Sequence, residues 1–288
     1  MALRQLTDRV WVETEHLGSN NGIVSGGDGR LALVDAPHRP TDAIAWAATV
    51  AGLGTPEFLV NTDHHPDHTI GNRWLPGTVV AHRLTRSRLV DAAPTRAYLR
   101  DLFAVIDPAA VALVDDYEVR LADVTFDERM ELFVGDRRLE LHHAPGHTAN
   151  TILVHVPDEG VLFTGDDVCN LGLPAFLDAT VERFFDAIEQ ARALDFEHLV
   201  PGHGDPGGRE LLDRHRDLGR EIVGRVADAR DRGDTREDCS DRIRFEDLIH
   251  AGVGGDPGYP DDLVEHFQRR SIEQIFDDLE TDPSLRDR

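Results

Sequence analysis

From residue 10 to about residue 207 the chain is a series of short apolar runs, each closed by Gly, Pro, Asn or Asp. Such runs, rich in Val, Leu and Ile, read as β-strands. They fall at residues 10–14, 22–25, 31–34, 57–61, 78–81, 124–126, 131–134, 138–142, 151–156, 161–164 and 198–200. Stretches at 41–53, 84–103 and 180–194 read as helices, the first announced by Pro40 and Thr41. Strands in hairpin-like runs broken by helices predict two sheets with helices outside them, and not a regular β–α–β alternation.

Past the Gly- and Pro-rich turn at 201–208 the strand signals stop. Leu211, Leu218, Ile222 and Val226 share one face of an amphipathic helix, and Phe267, Ile272, Ile275, Phe276 and Leu279 share a second. Residues 252–260 read as a loop between them. The expected division is an α+β domain over 1–207 and a helical extension over 208–288. That extension is expected to cap the pocket, to form a homodimer interface through its helices, or both.

Composition narrows the partners. The 288 residues carry 54 acidic and 30 basic side chains, a net charge of −24. Such a chain repels polyanions, so neither nucleic acid nor an anionic membrane is expected as a partner, and a small-molecule substrate is. All 30 basic residues are Arg, which excludes Schiff-base lysine chemistry and a phosphate-loop lysine. Asp outnumbers Glu, 36 to 18, as in a GC-rich genome or a salty cytoplasm. Cys169 and Cys239 give no disulfide framework, and the amino-terminal segment turns polar too early for a signal peptide, so a cytoplasmic setting is expected.

The chemistry is concentrated after the strand at 57–61. Residues 63–68, Asp-His-His-Pro-Asp-His, place three His and two Asp in six positions. Close-set imidazoles and carboxylates call for a cation to offset their desolvation and mutual repulsion. Three later turns, Pro145-Gly-His-Thr148, Thr164-Gly-Asp-Asp167 and Pro201-Gly-His-Gly-Asp205, each set a His or Asp in a Gly-containing turn beyond a strand. There the backbone can approach closely and the side chain can enter a cleft.

With these residues the chain resembles the metallo-β-lactamase superfamily over roughly residues 10–207. That family's first motif is H-x-H-x-D-H; His65, Asp67 and His68 match its last three named positions, and Asp63 stands where the first His is expected. His147, Asp166 and His203 match the family's later His, bridging carboxylate and final His. The resemblance implies an αββα sandwich with a dinuclear site at one edge between the sheets. It implies two divalent metal ions, zinc by default: Asp63, His65 and His147 at the first, Asp67, His68 and His203 at the second, and Asp166 bridging. It further implies a metal-dependent hydrolase, in which a metal-activated hydroxide cleaves a small ester, thioester, lactone or amide and Asp67 orients the nucleophile or shuttles its proton. Asp35 resembles the Asp that supports the metal loop from behind.

Asp63 adds negative charge to the first site, which shifts preference toward Mn²⁺ or Fe²⁺. An iron oxidoreductase of the same fold and a non-catalytic binding protein with a degraded first site are therefore the competing readings. His64 stands as the alternative ligand in a shifted register, or as a contact to substrate. Members that cleave glutathione thioesters use basic tail residues including lysine, and this chain has no lysine. His82, His142, His143, Trp74 and Tyr98 read as structural, Asp167 as a brace for its turn, Cys169 as a small buried residue, and Arg83, Arg86 and Arg88 as a solvated helix face.

Overall fold

The computed structural model describes residues 3–176, 178–245, 247–248 and 261–288. Seven strands form one sheet in chain order: β1 (Arg4–Gln5), β2 (Val10–Glu13), β3 (Asn21–Ser25), β4 (Arg30–Val34), β5 (Thr55–Val60), β6 (Thr78–His82) and β7 (Val124–Phe126). Pairing is antiparallel from β1 to β4 and parallel from β4 to β7. The second sheet has the order β12-β11-β10-β9-β8, from β8 (Arg129–Val134), β9 (Arg137–His143), β10 (Ile152–Val156), β11 (Val161–Phe163) and β12 (His198–Val200). Its pairs are antiparallel except β11 with β12.

Strand alternation sorts the side chains into layers. Val10, Val12, Val24, Val34, Val60 and Val80 of the first sheet meet Leu139, Leu141, Ile152, Val154 and Phe163 of the second. On the far side of the first sheet, Ile23, Leu31, Leu33 and Leu59 pack on Trp46 and Val50 of helix α1 (Pro40–Leu53). Trp46 is fully buried, so truncation to Ala is expected to cost about 3–5 kcal/mol. Leu153, Leu162 and Leu199 cover the outer face of the second sheet, beneath Phe184 and Ile188 of a later helix (Val181–Arg192).

The single helix expected over 84–103 is two. Helix α3 (Arg83–Asp91) stops before Pro94, whose ring disfavours helical backbone in the residue ahead of it. Helix α4 (Arg96–Ile106) restarts at Thr95, whose side chain accepts from the Tyr98 N–H. A four-residue turn of helix, α2 (Pro66–Thr69), precedes both and carries part of the His- and Asp-rich motif. Helix α5 is Val181–Arg192.

After β12 come α6 (Glu210–Asp231), α7 (Arg236–Arg242) and α8 (Asp261–Thr281). The short α7 was not expected; it opens on a capping box between Thr235 and Asp238. Ile222 and Val226 of α6 and Ile272, Ile275 and Leu279 of α8 join Phe184 and Ile188 of α5 in one apolar cluster. The carboxy-terminal helices therefore pack on the sandwich itself. The expected loop at 252–260 lies outside the described residues. No helix among the described residues is long and apolar enough to cross a membrane.

Candidate metal centre

The chemically dense turns all follow strands whose carboxyl ends open at one edge of the sandwich: β4 leads to Asp35, β5 to residues 61–68, β9 to His147, β11 to Asp166 and β12 to His203. The 61–68 segment is pinned from within. Asn61 donates to the His68 carbonyl at 2.9 Å and exchanges amide hydrogen bonds with Asn72 at 2.8 and 3.1 Å. Asp35 adopts φ +58°, a left-handed conformation that Asp tolerates better than most residues. In that position it accepts from the Thr62 N–H and hydroxyl, both at 2.7 Å, and lies 3.0 Å from His68 Nδ1.

Two groups of four donor atoms result. In each, one atom per residue lies within 4.8 Å of all the others: Asp63, His65, His147 and Asp166 form the first, and Asp67, His68, Asp166 and His203 the second. Asp166 belongs to both. His64 belongs to neither of these: its Nδ1 lies 3.1 Å from Asn150 Oδ1, its ring lies beside that of His65, and it forms a smaller group with His65 and Asp178. Asp63 shares a group with His147, and His64 does not.

Hydrogen bonds at the rear of the rings assign the tautomers. An ionised carboxylate only accepts, so His68 Nδ1 donates to Asp35 and its Nε2 presents a lone pair. That Nε2 faces Asp166 Oδ1 at 3.3 Å; both atoms are buried and neither has a hydrogen-bond partner. By the same logic His65 Nε2 donates to Asp178 at 3.3 Å, leaving Nδ1 as a lone pair 3.2 Å from Asp63 Oδ2 and 3.2 Å from His147 Nε2. Asp63 Oδ2 is likewise buried without a partner. His203 Nε2 lies 3.2 Å from Asp166 and 3.3 Å from Asp67. Donors about 2.0–2.1 Å from a tetrahedral ion stand about 3.3 Å apart. Converging donors at that spacing, with His68 Nε2, Asp166 Oδ1 and Asp63 Oδ2 left without a partner, fit divalent ions.

The electrostatics make the same demand. Burial opposes charge here, yet Asp63, Asp166, Asp35 and Asp67 together hold the His68 imidazole well above its usual range. His203, also against burial, is pushed up to about 10 by Asp166 and Asp67. The imidazoles in turn hold Asp63, Asp67 and Asp166 below the usual carboxylate range despite their burial. The carboxylates are drawing positive charge into a desolvated place, which divalent ions satisfy. His147 goes the other way: burial lowers it, so it stays neutral as a ligand must.

Of the surrounding residues, Cys169 and Tyr98 differ from expectation, while Asp167, His82, His143, Trp74 and the arginines keep their expected roles. Cys169 is half-buried and lines the cavity above the centre, with its thiol pushed well up by burial and then by Asp166. Tyr98, expected in the core, is exposed and lines the same cavity. Asp167 accepts from the His147 N–H at 2.6 Å and braces that turn; burial, with Asp166 and Asp63 nearby, pushes its carboxyl well up. His82 caps α3 and stacks on His143, their ring centroids 4.0 Å apart, and Trp74 packs on Tyr117. Arg83 pairs with Asp127, and Arg86 donates to the Ala122 carbonyl. Asp178 carried no recognisable motif, since it reaches His65 from 113 residues away. Gly202 supports the centre by having no side chain: a Cβ there would overlap Asp166 Oδ1.

The cavity measures about 640 Å³. Its floor is His65, Asp67, His147, Asp166 and His203; its walls include Leu102, Val105 and Ile106 of α4 and Leu263, Val264 and Phe267 of α8. No arginine is among the described residues that line it.

With this geometry in place, the class of protein is clear: a family model for the metallo-beta-lactamase superfamily matches residues 15–203, and the chain belongs to that superfamily. Among characterised relatives, it is 26% identical over 166 residues to a hydroxyacylglutathione hydrolase of Mesorhizobium japonicum, a match covering 58% of this chain and 54% of that one. It is 27% identical over 202 residues to the Brucella anthropi protein of the same name, covering 69% and 66%. The chain thus spans between about half and two thirds of these relatives' length. Its fold is similar to the DIM-1 metallo-beta-lactamase (TM-score 0.60, 20% identity, covering 76% of this chain and 97% of that one). It is also similar to a metallo-beta-lactamase from Pontibacter korlensis (TM-score 0.58, 22% identity, 76% and 98%).

Proposed function

We propose that the chain is a metal-dependent hydrolase that cleaves a small, uncharged ester or thioester with an apolar acyl group. The observation that carries this reading is the pair of donor groups, with unpaired buried lone pairs, at the floor of an apolar cavity. Asp63, His65 and His147 would hold one ion, Asp67, His68 and His203 the other, and Asp166 would join them. The ions, zinc by default, would supply Lewis acidity and make a bound water acidic enough to react near neutral pH.

The remaining work belongs to the chain. Asp67 lines the cavity and is the carboxylate we assign to orient the attacking water and take its proton. Asp35 keeps His68 in the tautomer that presents Nε2 forward, and Asp178 does so for the Nδ1 of His65. The apolar walls from α4 and α8 would seat the acyl group and exclude bulk water. Asp63 gives the first group a second carboxylate, favouring Mn²⁺ or Fe²⁺ there more than an all-histidine set would.

The relatives' name points to a thioester of glutathione. A thioester bond suits this centre, but the tripeptide's carboxylates would find no arginine among the described cavity residues. The test is kcat/KM for S-lactoylglutathione against hexanoyl esters and thioesters, with metal content measured on the same protein. The neutral apolar substrates are expected to be better by at least about tenfold, the scale of one well-filled apolar contact. A preference for the glutathione thioester overturns the substrate assignment, and full activity after complete metal removal overturns the mechanism.

A further inference from the structure

A further convergence of donors lies on the outer face of the second sheet. Its inner face carries Leu139, Leu141, Val154 and Val156 into the core, so alternation turns Glu140, His142 and His155 outward. Glu140 and His142 are two apart on β9, and His155 of β10 is the direct cross-strand partner of Glu140. One donor atom from each lies within 4.8 Å of the other two. None of the three belongs to the dinuclear centre.

The hydrogen bonds again assign the lone pairs. His155 Nε2 lies 2.8 Å from the Asp195 carbonyl, which only accepts, so Nε2 holds the proton and Nδ1 presents a lone pair. That Nδ1 faces Glu140 Oε2 at 3.2 Å. His142 is 93% buried by its 7% exposure; its Nε2 makes no hydrogen bond and stands 3.5 Å from the same oxygen. Arg138 holds the other carboxylate oxygen, Oε1, at 3.1 Å, which leaves Oε2 turned to both imidazoles. A proton on His155 Nδ1 would pair with Glu140 but leave His142 Nε2 unsatisfied. One divalent ion satisfies all three, and separations of 3.2 and 3.5 Å bracket the roughly 3.3 Å edge of tetrahedral zinc coordination. An imidazole that donates its rear N–H to a backbone carbonyl is the usual arrangement behind a ligating nitrogen.

We propose that Glu140, His142 and His155 form a separate mononuclear site for a borderline divalent ion such as Zn²⁺, clipping the β9–β10 hairpin to the turn that follows α5. The test is a metal count on metal-loaded wild type, His142→Gln and Glu140→Gln after equilibration against micromolar Zn²⁺. Wild type is expected to hold one zinc per chain more than either variant, while all three hydrolyse a test ester at the same rate. Added Zn²⁺ is expected to raise the thermal midpoint of the loaded wild type and not that of His142→Gln. Should the glutamine at 142 prevent folding, His155→Gln supplies the same count. Equal zinc in wild type and folded variants overturns the proposal, as does a loss of ester hydrolysis in the variants without a change in zinc.

Discussion

His68 is fully buried, and its rear nitrogen is held by Asp35, which is itself gripped twice by Thr62; His65 keeps a fifth of its side chain exposed and leans on Asp178, which is two-fifths exposed. The two donor groups therefore contain similar atoms in unlike settings. His68 is oriented from inside the sandwich, where its bond to Asp35 is shielded from water. His65 is oriented from the rim, although its group also holds the buried Asp63 and His147.

Asp166 is shared, so Asp166→Asn is expected to erase the difference by disabling both groups. Ester hydrolysis should fall by at least about a thousandfold, the scale of removing one member of a catalytic unit. Metal content should drop at both positions, and loss of a single ion would break the comparison. Asp35→Asn is expected to weaken metal binding by about 10–100-fold, and only at the His68 group. Stepwise metal titration followed by calorimetry separates the two events. Asp63→His should raise the ratio of zinc to manganese retained by about tenfold and leave the other group unchanged, as elemental analysis can read. Asp178→Asn acts on an exposed, screened partner, so less than about a tenfold change in metal affinity is expected. An effect as large as that of Asp35→Asn would show that the rim is as rigid as the interior. Smallest of all, Phe267→Ala in the cavity wall should raise KM for a hexanoyl ester several-fold, with metal content unchanged.

The sequence made the donors legible because residues 63–68 are local and each later donor sits in a short turn after a strand. The positions of the strands followed from apolar runs whose alternate residues do fill the space between the sheets, while their order did not. Asp178 stayed hidden because nothing near it in sequence needs a carboxylate; its purpose exists only once His65 is beside it. Tyr98 was misplaced because the apolar face of α4 is divided, Leu99 and Phe103 facing the core while Leu102 and Val105 face the cavity. Periodicity reports an apolar face but not what it meets. The cluster on β9 and β10 is hidden for a related reason: the partners of His142 lie two residues back and across the strand pair, which linear spacing does not show.

Gly202 gives the centre a weakness unrelated to lone pairs or charge. The Pro201-Gly202-His203 turn passes so close to Asp166 that one added methyl group would occupy the space of a carboxylate oxygen. A single hydrogen-to-methyl exchange could therefore silence the centre through bulk, with every donor still present in the chain. An inventory of ligands alone would pass such a protein as intact.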